Sequence, residues 1–357
     1  MGLRIIHPDT TIDFMSKRVL AMYASLLLLV LGLGAIVVQG GLNYGIDFAG
    51  GINIQVKFDR GVQVAEVQKA LRTGNLPEIR VQQFGLEQAH EYLLRISAED
   101  AKPEEMRTAV DKALAQGMEV GHSIQRLEMV GPKVGADLKN KALQALFYAV
   151  LFISIYISGR FEQKWMTAGI MAAGLLTGLY ILGLLAVPLV YLIVAALAIT
   201  LGLTWYLQLN YALGAVVALI HDVFITVGIF SLLGKEFDLT IVAALLTIIG
   251  YSLNDTIVIY DRIRENLRAK KVLPLYQTVN KSVNQTLSRT LLTSGTTILV
   301  VLSLIILGGG VIHDFALALL IGILVGTYSS IFVASSLLLG IGPTPEKVPE
   351  EEAVQAV

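Results

Sequence analysis

No cysteine occurs anywhere in the 357-residue sequence. Disulfides, thiolate nucleophiles and cysteine-based metal centres are thereby excluded. Histidine is scarce, and its five copies never pair at a metal-ligand spacing in a polar setting, so neither metal nor cofactor is expected. Charge is thin too: 15% of residues are charged and they sum to −1, so no global field points to nucleic acid. The rest is apolar, with 55% hydrophobic residues and a mean hydropathy of +0.68, far above a soluble globular protein. Only helices and closed barrels satisfy their backbone in lipid. The apolar runs are about 20 residues long, the length at which a helix crosses about 30 Å of hydrocarbon. The fold class is therefore an α-helical integral membrane protein.

The first apolar run, residues 19–38, follows Lys17 and Arg18. It exceeds a signal-peptide core and lacks a small-x-small cleavage site, so it is expected to be a retained span. A soluble segment, residues 40–141, comes next. Within 142–342 further spans fall near 142–158, 166–186, 188–207, 211–232, 239–260, 290–307 and 315–339, about eight in all. The acidic, proline-containing tail, 343–357, is expected to be disordered. Short loops set the orientation. Lys17 and Arg18, then Arg160 and Lys164, then Arg262, Arg264, Arg268, Lys270, Lys271 and Lys281 all fall on one side of an eight-span bundle. That side is expected to be cytoplasmic, with residues 1–18 and the C-terminus there and 40–141 outside. The basic run 262–271 has a plain role, fixing topology and touching anionic lipid.

The soluble segment alternates as strands do at 52–58, 79–84, 92–96 and 123–130, with helical spacing at 62–73 and 103–115. The order β-α-β-β-α-β predicts a ferredoxin-like α+β domain. Glu87, His90 and Glu91 form a solvated hairpin turn, and no catalytic constellation is present.

Chemistry concentrates in residues 239–266, where Asn254 and Asp255 interrupt an apolar helix. A carboxylate in hydrocarbon costs on the order of 2.5–3.5 kcal/mol even on the lenient insertion scale, so such a residue points to an ion pathway. Asp255 lies about 7–8 Å inside its span at 1.5 Å per residue. Arg289 opens the next span at similar depth, so the two are expected to pair. Burial and a nearby cation act on a carboxyl in opposite directions, and a group balanced between them can load and release protons. From Arg289 a polar stripe runs through Thr293, Thr296 and Thr297. On these residues alone a proton site and an ion pair that merely fastens two helices stand level. Asn254 is expected to hydrogen-bond across to a neighbouring helix and position Asp255. Asp222 lies mid-span with Thr226 one turn on. His221 beside it points about 100° away, and is read as a packing histidine with a relay role as the alternative. Gly322, Gly326, Ser329, Ser330 and Ser336 suggest a closely packed last span. The glycine-rich stretch 45–51 lacks the ending of a phosphate loop. It is read as a hinge from Gly45 onward, in which Gly50 and Gly51 supply unusual backbone angles and Asp47 caps or salt-bridges.

The order of several motifs completes the picture. Gly45-Ile46-Asp47-Phe48-Ala49-Gly50-Gly51 follows the first span and Val130-Gly131-Pro132-Lys133-Val134-Gly135 precedes the second. Ala218-Leu219-Ile220-His221-Asp222-Val223, Gly250-Tyr251-Ser252-Leu253-Asn254-Asp255-Thr256, Asp261-Arg262-Ile263-Arg264-Glu265-Asn266, Ser288-Arg289-Thr290 and Thr293-Ser294-Gly295-Thr296-Thr297 follow in turn. Over nearly the whole chain this resembles the SecD/SecF family of the bacterial protein-export machinery, of the resistance-nodulation-division type. Such chains usually have six spans. Here residues 163–207 intervene, read as an extra uncharged hairpin turning at Val187-Pro188, whose Gly169, Gly174, Gly178 and Gly183 permit close helix contact.

The resemblance implies a non-enzymatic subunit in the bacterial inner membrane that uses the proton-motive force to promote protein export. It assigns proton conduction to the positions of Asp255 and Arg289. The partners it implies are a SecD-like subunit, the SecYEG channel and the translocating preprotein, with YajC as a further candidate, and membrane lipids around them. The alternative is a proton-coupled exporter of small molecules or lipids. Whether protons or sodium ions are coupled stays open.

Overall fold

The computed structural model describes residues 11–74, 76, 79–84, 87–96, 102–184, 189–269, 273–308 and 310–343. Residues 1–10, Lys270, Lys271, the turn at Val187-Pro188 and all but the first residue of the tail lie outside the described residues.

The chain begins with α1 (Arg18–Val38) and a single turn, α2 (Ile46–Ala49). The soluble domain follows as β1 (Gly51–Phe58), α3 (Val64–Thr73), β2 (Ile79–Phe84), β3 (Glu91–Ile96), α4 (Pro103–Gly117) and β4 (His122–Val130). The remainder is helical: α5 (Pro132–Glu162), α6 (Trp165–Leu184), α7 (Leu189–Tyr206), α8 (Asn210–Leu232), α9 (Leu239–Arg268), α10 (Leu275–Leu307) and α11 (Gly310–Ser329). A π-turn, Ser330–Ala334, joins α11 to α12 (Ser335–Ile341).

The expected β-α-β-β-α-β order holds, and the sheet is antiparallel in the order β2-β3-β1-β4. Alternation explains it: Ile52, Ile54, Val56 and Phe58 point to one face of β1 and bury against Val67 and Leu71 of α3 and Val110 and Leu114 of α4. Pro103 opens α4, with Glu104 and Glu105 in its first turn.

Among the described residues six helical segments are long and apolar enough to cross a membrane. The other two expected spans are α6 and α7, shorter apolar helices whose hairpin packs Met171, Ala172, Leu175 and Ala196 against Phe147 and Leu151 of α5. Lys164 Nζ closes the hairpin base by donating to the Leu207 carbonyl at 2.9 Å. A Cβ added at Gly169, Gly174 or Gly178 would meet nothing within 4 Å, so among the described residues these three make no close helix contact. Three helices outrun their apolar stretches: α5 starts at Pro132 instead of 142, α9 runs on to Arg268, and α10 starts at Leu275 instead of 290. Hydropathy marks the lipid-compatible part of a helix, while polar residues with good helix propensity carry it further.

One close helix crossing is glycine on glycine. A Cβ on Gly32 of α1 would lie 2.8 Å from the Gly228 Cα of α8. Gly228→Leu is therefore expected to displace α1 and lower stability by about 1–3 kcal/mol, whereas Gly34→Leu, with nothing within 4 Å, leaves it unchanged. Thermal unfolding of the two variants in detergent checks this.

Candidate functional site

The core of the bundle holds a polar cluster built from four helices. Asp222 of α8 is buried. Its Oδ2 accepts from Ser252 Oγ of α9 at 2.5 Å and from Ser329 Oγ of α11 at 2.8 Å. Its Oδ1 faces His221 Nδ1 at 2.9 Å. His221 is buried as well, and its Nε2 lies 3.0 Å from Ser25 Oγ of α1. Ser25 Oγ is 2.9 Å from the hydroxyl of Tyr328 on α11, which donates to the Ala21 carbonyl at 2.5 Å. Adjacent helix positions do diverge, yet here divergence lets His221 reach α1 and Asp222 reach α9 and α11 while the two side chains still touch. His221 is a hydrogen-bonded histidine, and its bonds form a chain.

Less than one turn further along α9 lies Asp255, 3% exposed. Ser294 Oγ of α10 donates to its Oδ2 at 3.3 Å and sits 2.8 Å from Thr327 Oγ1 of α11. Arg289 lies within electrostatic range of Asp255, but its side chain is exposed and, among the described residues, the two form no ion pair. The expected salt bridge is thus replaced by a hydroxyl: Ser294, five positions after Arg289, is the residue α10 turns inward. Asn254 is exposed and its side chain makes no hydrogen bond among the described residues. One position before Asp255, it is rotated about 100° away from the interior. Thr293 donates to its own helix, to the carbonyls of Arg289 and Thr290, and Thr296 and Thr297 do likewise. The threonine stripe is spent on backbone, apart from Thr297, which also accepts from Tyr251 at 3.2 Å.

Packing explains why both clusters gather on α11. A Cβ on Gly326 would lie 2.8 Å from Ser252 Cβ, so α11 and α9 approach closely, as expected from the small residues of the last span. Ser330 opens the π-turn and bonds Thr256 Oγ1 at 2.8 Å. Inserting a residue into a helical turn frees carbonyls for such side chains and often marks functional positions. Sequence inspection missed Ser25, Ser252, Ser294, Thr327 and Tyr328 as site residues. Serine and threonine in apolar helices carry a weak signal, since each can satisfy itself on its own backbone.

The soluble domain is locked to the bundle by the glycine loop. Gly45 N donates to the Phe237 carbonyl at 2.7 Å, and Phe237 N to the Asn43 carbonyl at 2.8 Å. Asp47 Oδ2 accepts from Leu239 N at 3.0 Å, so it caps α9 together with Asp238, which accepts from Ile241 N. Gly50 and Gly51 have φ of +75° and +125°. Arg95 of β3 pairs with Glu236 at 3.3 Å and donates to the Tyr44 carbonyl at 2.6 Å. Cavities of about 820 and 320 Å³ flank this junction; Asp47, Glu236, Asp238 and Asp314 line the smaller.

Burial pushes the Glu236 and Asp238 carboxyls up, against the opposing pull of Arg95 on Glu236 and of the Ile241 N–H on Asp238. An acid raised in the folded state stabilises fully below its unfolded pKa and loses that contribution as pH rises through the folded value. The junction is therefore expected to tighten in mild acid. At neutral pH Glu236→Gln should leave the melting temperature unchanged or higher. Arg95→Gln should lower it by about 4–8 °C, about 1 kcal/mol for a domain of this size, since half-buried carboxylates lose their counter-charge. Melting curves of the purified chain at two pH values check both signs.

Among the described residues no cluster of three or more His, Asp and Glu could hold a metal ion. What the bundle offers is two hydrogen-bonded clusters of hydroxyl and carboxyl groups, one around Asp222 that includes an imidazole and spans α1, α8, α9 and α11, the other around Asp255 on α9, α10 and α11, each with groups able to hold and pass a proton.

Comparison with known proteins agrees in sequence and fold. The family model described as protein export membrane protein SecD/SecF, C-terminal, matches residues 110–197 and 182–343. The SecD/SecF GG motif matches residues 35–62, which include Gly50 and Gly51. The protein translocase subunit SecF of Magnetococcus marinus is 43% identical over 98% of this chain and 99% of its own length. That of Calditerrivibrio nitroreducens is 39% identical over 94% of this chain and 96% of its own, and that of Escherichia coli O157:H7 36% identical over 97% and 93%. The crystal structure of SecDF, a translocon-associated membrane protein from Thermus thermophilus, superposes with a TM-score of 0.69 at 33% identity, covering 93% of this chain and 39% of that one. SecDF in its super-membrane-facing form gives 0.57 at 30% identity, covering all of this chain and 41% of the other. This chain thus spans about two fifths of those solved chains. With its family matches running from the glycine loop through the last helix, and its relatives aligned nearly end to end, the chain belongs to the SecD/SecF family of protein export membrane proteins.

Proposed function

We propose that this chain is the SecF subunit of a protein translocase and that ion flow through its bundle drives export across the bacterial inner membrane. The observation that carries the reading is Asp255, a carboxylate buried within an apolar helix near one end of its span, with the Ser294 hydroxyl as its hydrogen-bond partner among the described residues. Burying a charge there is costly and finds its reason in ion movement. Asp222 and Asp255 supply the loading sites, and Arg289, near the basic end of the bundle, favours release. Each elementary charge crossing the membrane carries about 2.3 kcal/mol per 100 mV. A few ions suffice to move the soluble domain, which binds and pulls the emerging chain. The coupled ion is read as the proton, since the described hydroxyls and carboxylates form hydrogen-bonded lines and not a closed cation cage.

The orientation follows from the basic residues: both termini and the end bearing Arg160 and Arg262 are cytoplasmic, and residues 40–141 are extracytoplasmic. The length of the solved SecDF chains supports a SecD-like partner. The SecYEG channel, YajC and the preprotein are the further partners of such a role, and no step calls for an enzyme. The hairpin α6–α7 is read as a membrane-inserted addition outside the ion path.

Depletion of this chain in cells tests the reading. Precursor of a secreted reporter is expected to accumulate, and re-expression of the wild type restores secretion. Unchanged precursor processing, with altered export of lipids or small molecules, would transfer the role to an exporter of the same superfamily.

A further inference from the structure

The hydroxyl chain from Asp222 to α1 has a direction, and that direction depends on one proton. Tyr328 donates its single hydrogen to the Ala21 carbonyl, at 2.5 Å. It must therefore accept from Ser25, whose only hydrogen is spent in doing so. Ser25 Oγ then meets His221 Nε2 as an acceptor, and Nε2 must carry a hydrogen. On the other side Asp222 Oδ2 already accepts from Ser252 and Ser329. A second proton must consequently lie between His221 Nδ1 and Asp222 Oδ1, 2.9 Å apart. With the hydrogens assigned in this way the pair is loaded: it holds two protons and no net charge.

Removing one proton reverses the two bonds made by Ser25 and breaks the one to the Ala21 carbonyl. His221 then keeps a hydrogen on Nδ1 for Asp222, and bare Nε2 must accept from Ser25. Ser25 has nothing left for Tyr328, so Tyr328 must turn its hydrogen to Ser25 and release the Ala21 carbonyl. We propose that the His221–Asp222 pair is a second proton store in the bundle and that α1 reads its occupancy through Ser25 and Tyr328.

The surroundings isolate the switch. From α11 the titratable group facing the pair is Tyr328; α9 brings Ser252, with Asp255 turned toward Ser294; α1 brings Ser25; α5 brings Val150 and Ile157 of the shared apolar core. No Lys, Arg or Glu contacts it among the described residues. α1 lies at the periphery of the bundle, with Leu20, Tyr23, Leu26, Leu27 and Val30 exposed. Beyond the Gly32–Gly228 crossing and the Gln39–Ser231 bonds it runs straight into the glycine loop and β1. A change at Ala21 therefore bears on the arm that carries the soluble domain.

This inference rests on the bundle being proton-driven, but its test reads position and not export, so either can fail alone. The absence of cysteine allows a clean spin-label pair at Leu20→Cys of α1 and Met166→Cys of α6, both exposed. Distances are measured by pulsed electron resonance on the full chain in native-lipid nanodiscs with its co-purifying subunits, at about pH 5 and about pH 8. The wild-type distribution is expected to shift between the two. Tyr328→Phe and the milder Ser25→Ala lose the shift, Asp222→Asn holds the acid-side distribution at both, and Asp255→Asn keeps the shift. A wild-type distribution that does not move, or a shift that survives Tyr328→Phe, overturns the proposal.

Discussion

Asp255→Asn is expected to cut gradient-dependent secretion of a reporter preprotein about tenfold or more, with the protein still inserted, folded and bound to its partners. The amide has nearly the shape of the carboxyl and can still accept from Ser294, 3.3 Å away in the wild type. It differs in one respect: it is uncharged at every pH and cannot carry a proton. Since Asp255 forms no ion pair among the described residues, neutralising it strands no buried cation, and stability should hold or rise. A helix fastener makes the opposite prediction, lower stability with export intact. Ser294→Ala removes the hydrogen bonds to Asp255 and Thr327, about 0.5–1.5 kcal/mol each, and should slow export roughly two- to tenfold. Reporter pulse-chase at matched protein levels, with and without a collapsed gradient, separates these cases.

Gly51→Ala is expected to have the largest effect on the fold. At φ +125° Gly51 occupies backbone space that other residues rarely adopt, and its Cβ would lie 2.8 Å from the Ile96 carbonyl of the neighbouring strand. The backbone strain alone costs about 1–3 kcal/mol, and relieving the clash means parting β1 from β3 beside the Ile52–Ile96 pair. The neighbourhood is tight on every side: a Cβ on Gly50 would lie 2.9 Å from Pro132 Cα, and one on Gly135 3.0 Å from the Phe48 carbonyl. The soluble domain should lose about 2–4 kcal/mol, about 10 °C or more in its melting temperature. Gly40→Ala is the control, because Gly40 shares φ +75° with Gly50 but meets nothing within 4 Å. It should cost about 1 kcal/mol. Protease resistance of residues 40–141 in membranes reports both.

Where chain-local physics decides, the sequence was sufficient. Alternation in residues 52–58 and 79–84 set the strands and the buried face of the domain, and the domain's two helices and the glycine angles at 50 and 51 followed from spacing and residue type. The loop's clamp on α9 through Asp47 was half legible, since an acidic residue invites a cap without saying of which helix. The interior of the bundle was less so. Depth along a helix can be counted, and Asp255 and Arg289 do lie near one end; rotation about the axis cannot, and rotation turns Asn254 and Arg289 outward and Ser294 inward. The same limit hid the chain from Ser25 and Tyr328 to Asp222, whose members come from three helices far apart in sequence. Hydroxyls carry no signature that distinguishes a relay from self-capping, and only packing at Gly32, Gly228 and Gly326 brings these together.

The central claim is that ions cross this bundle by way of Asp255. Its most direct test is proton flux into vesicles reconstituted with the purified complex, followed by an internal pH dye under an imposed potential. The wild type is predicted to carry protons above the lipid leak, and Asp255→Asn to fall to that leak while co-purifying with the same subunits. Equal flux through both would contradict the account and leave Asp255 a buried residue without a part in transport.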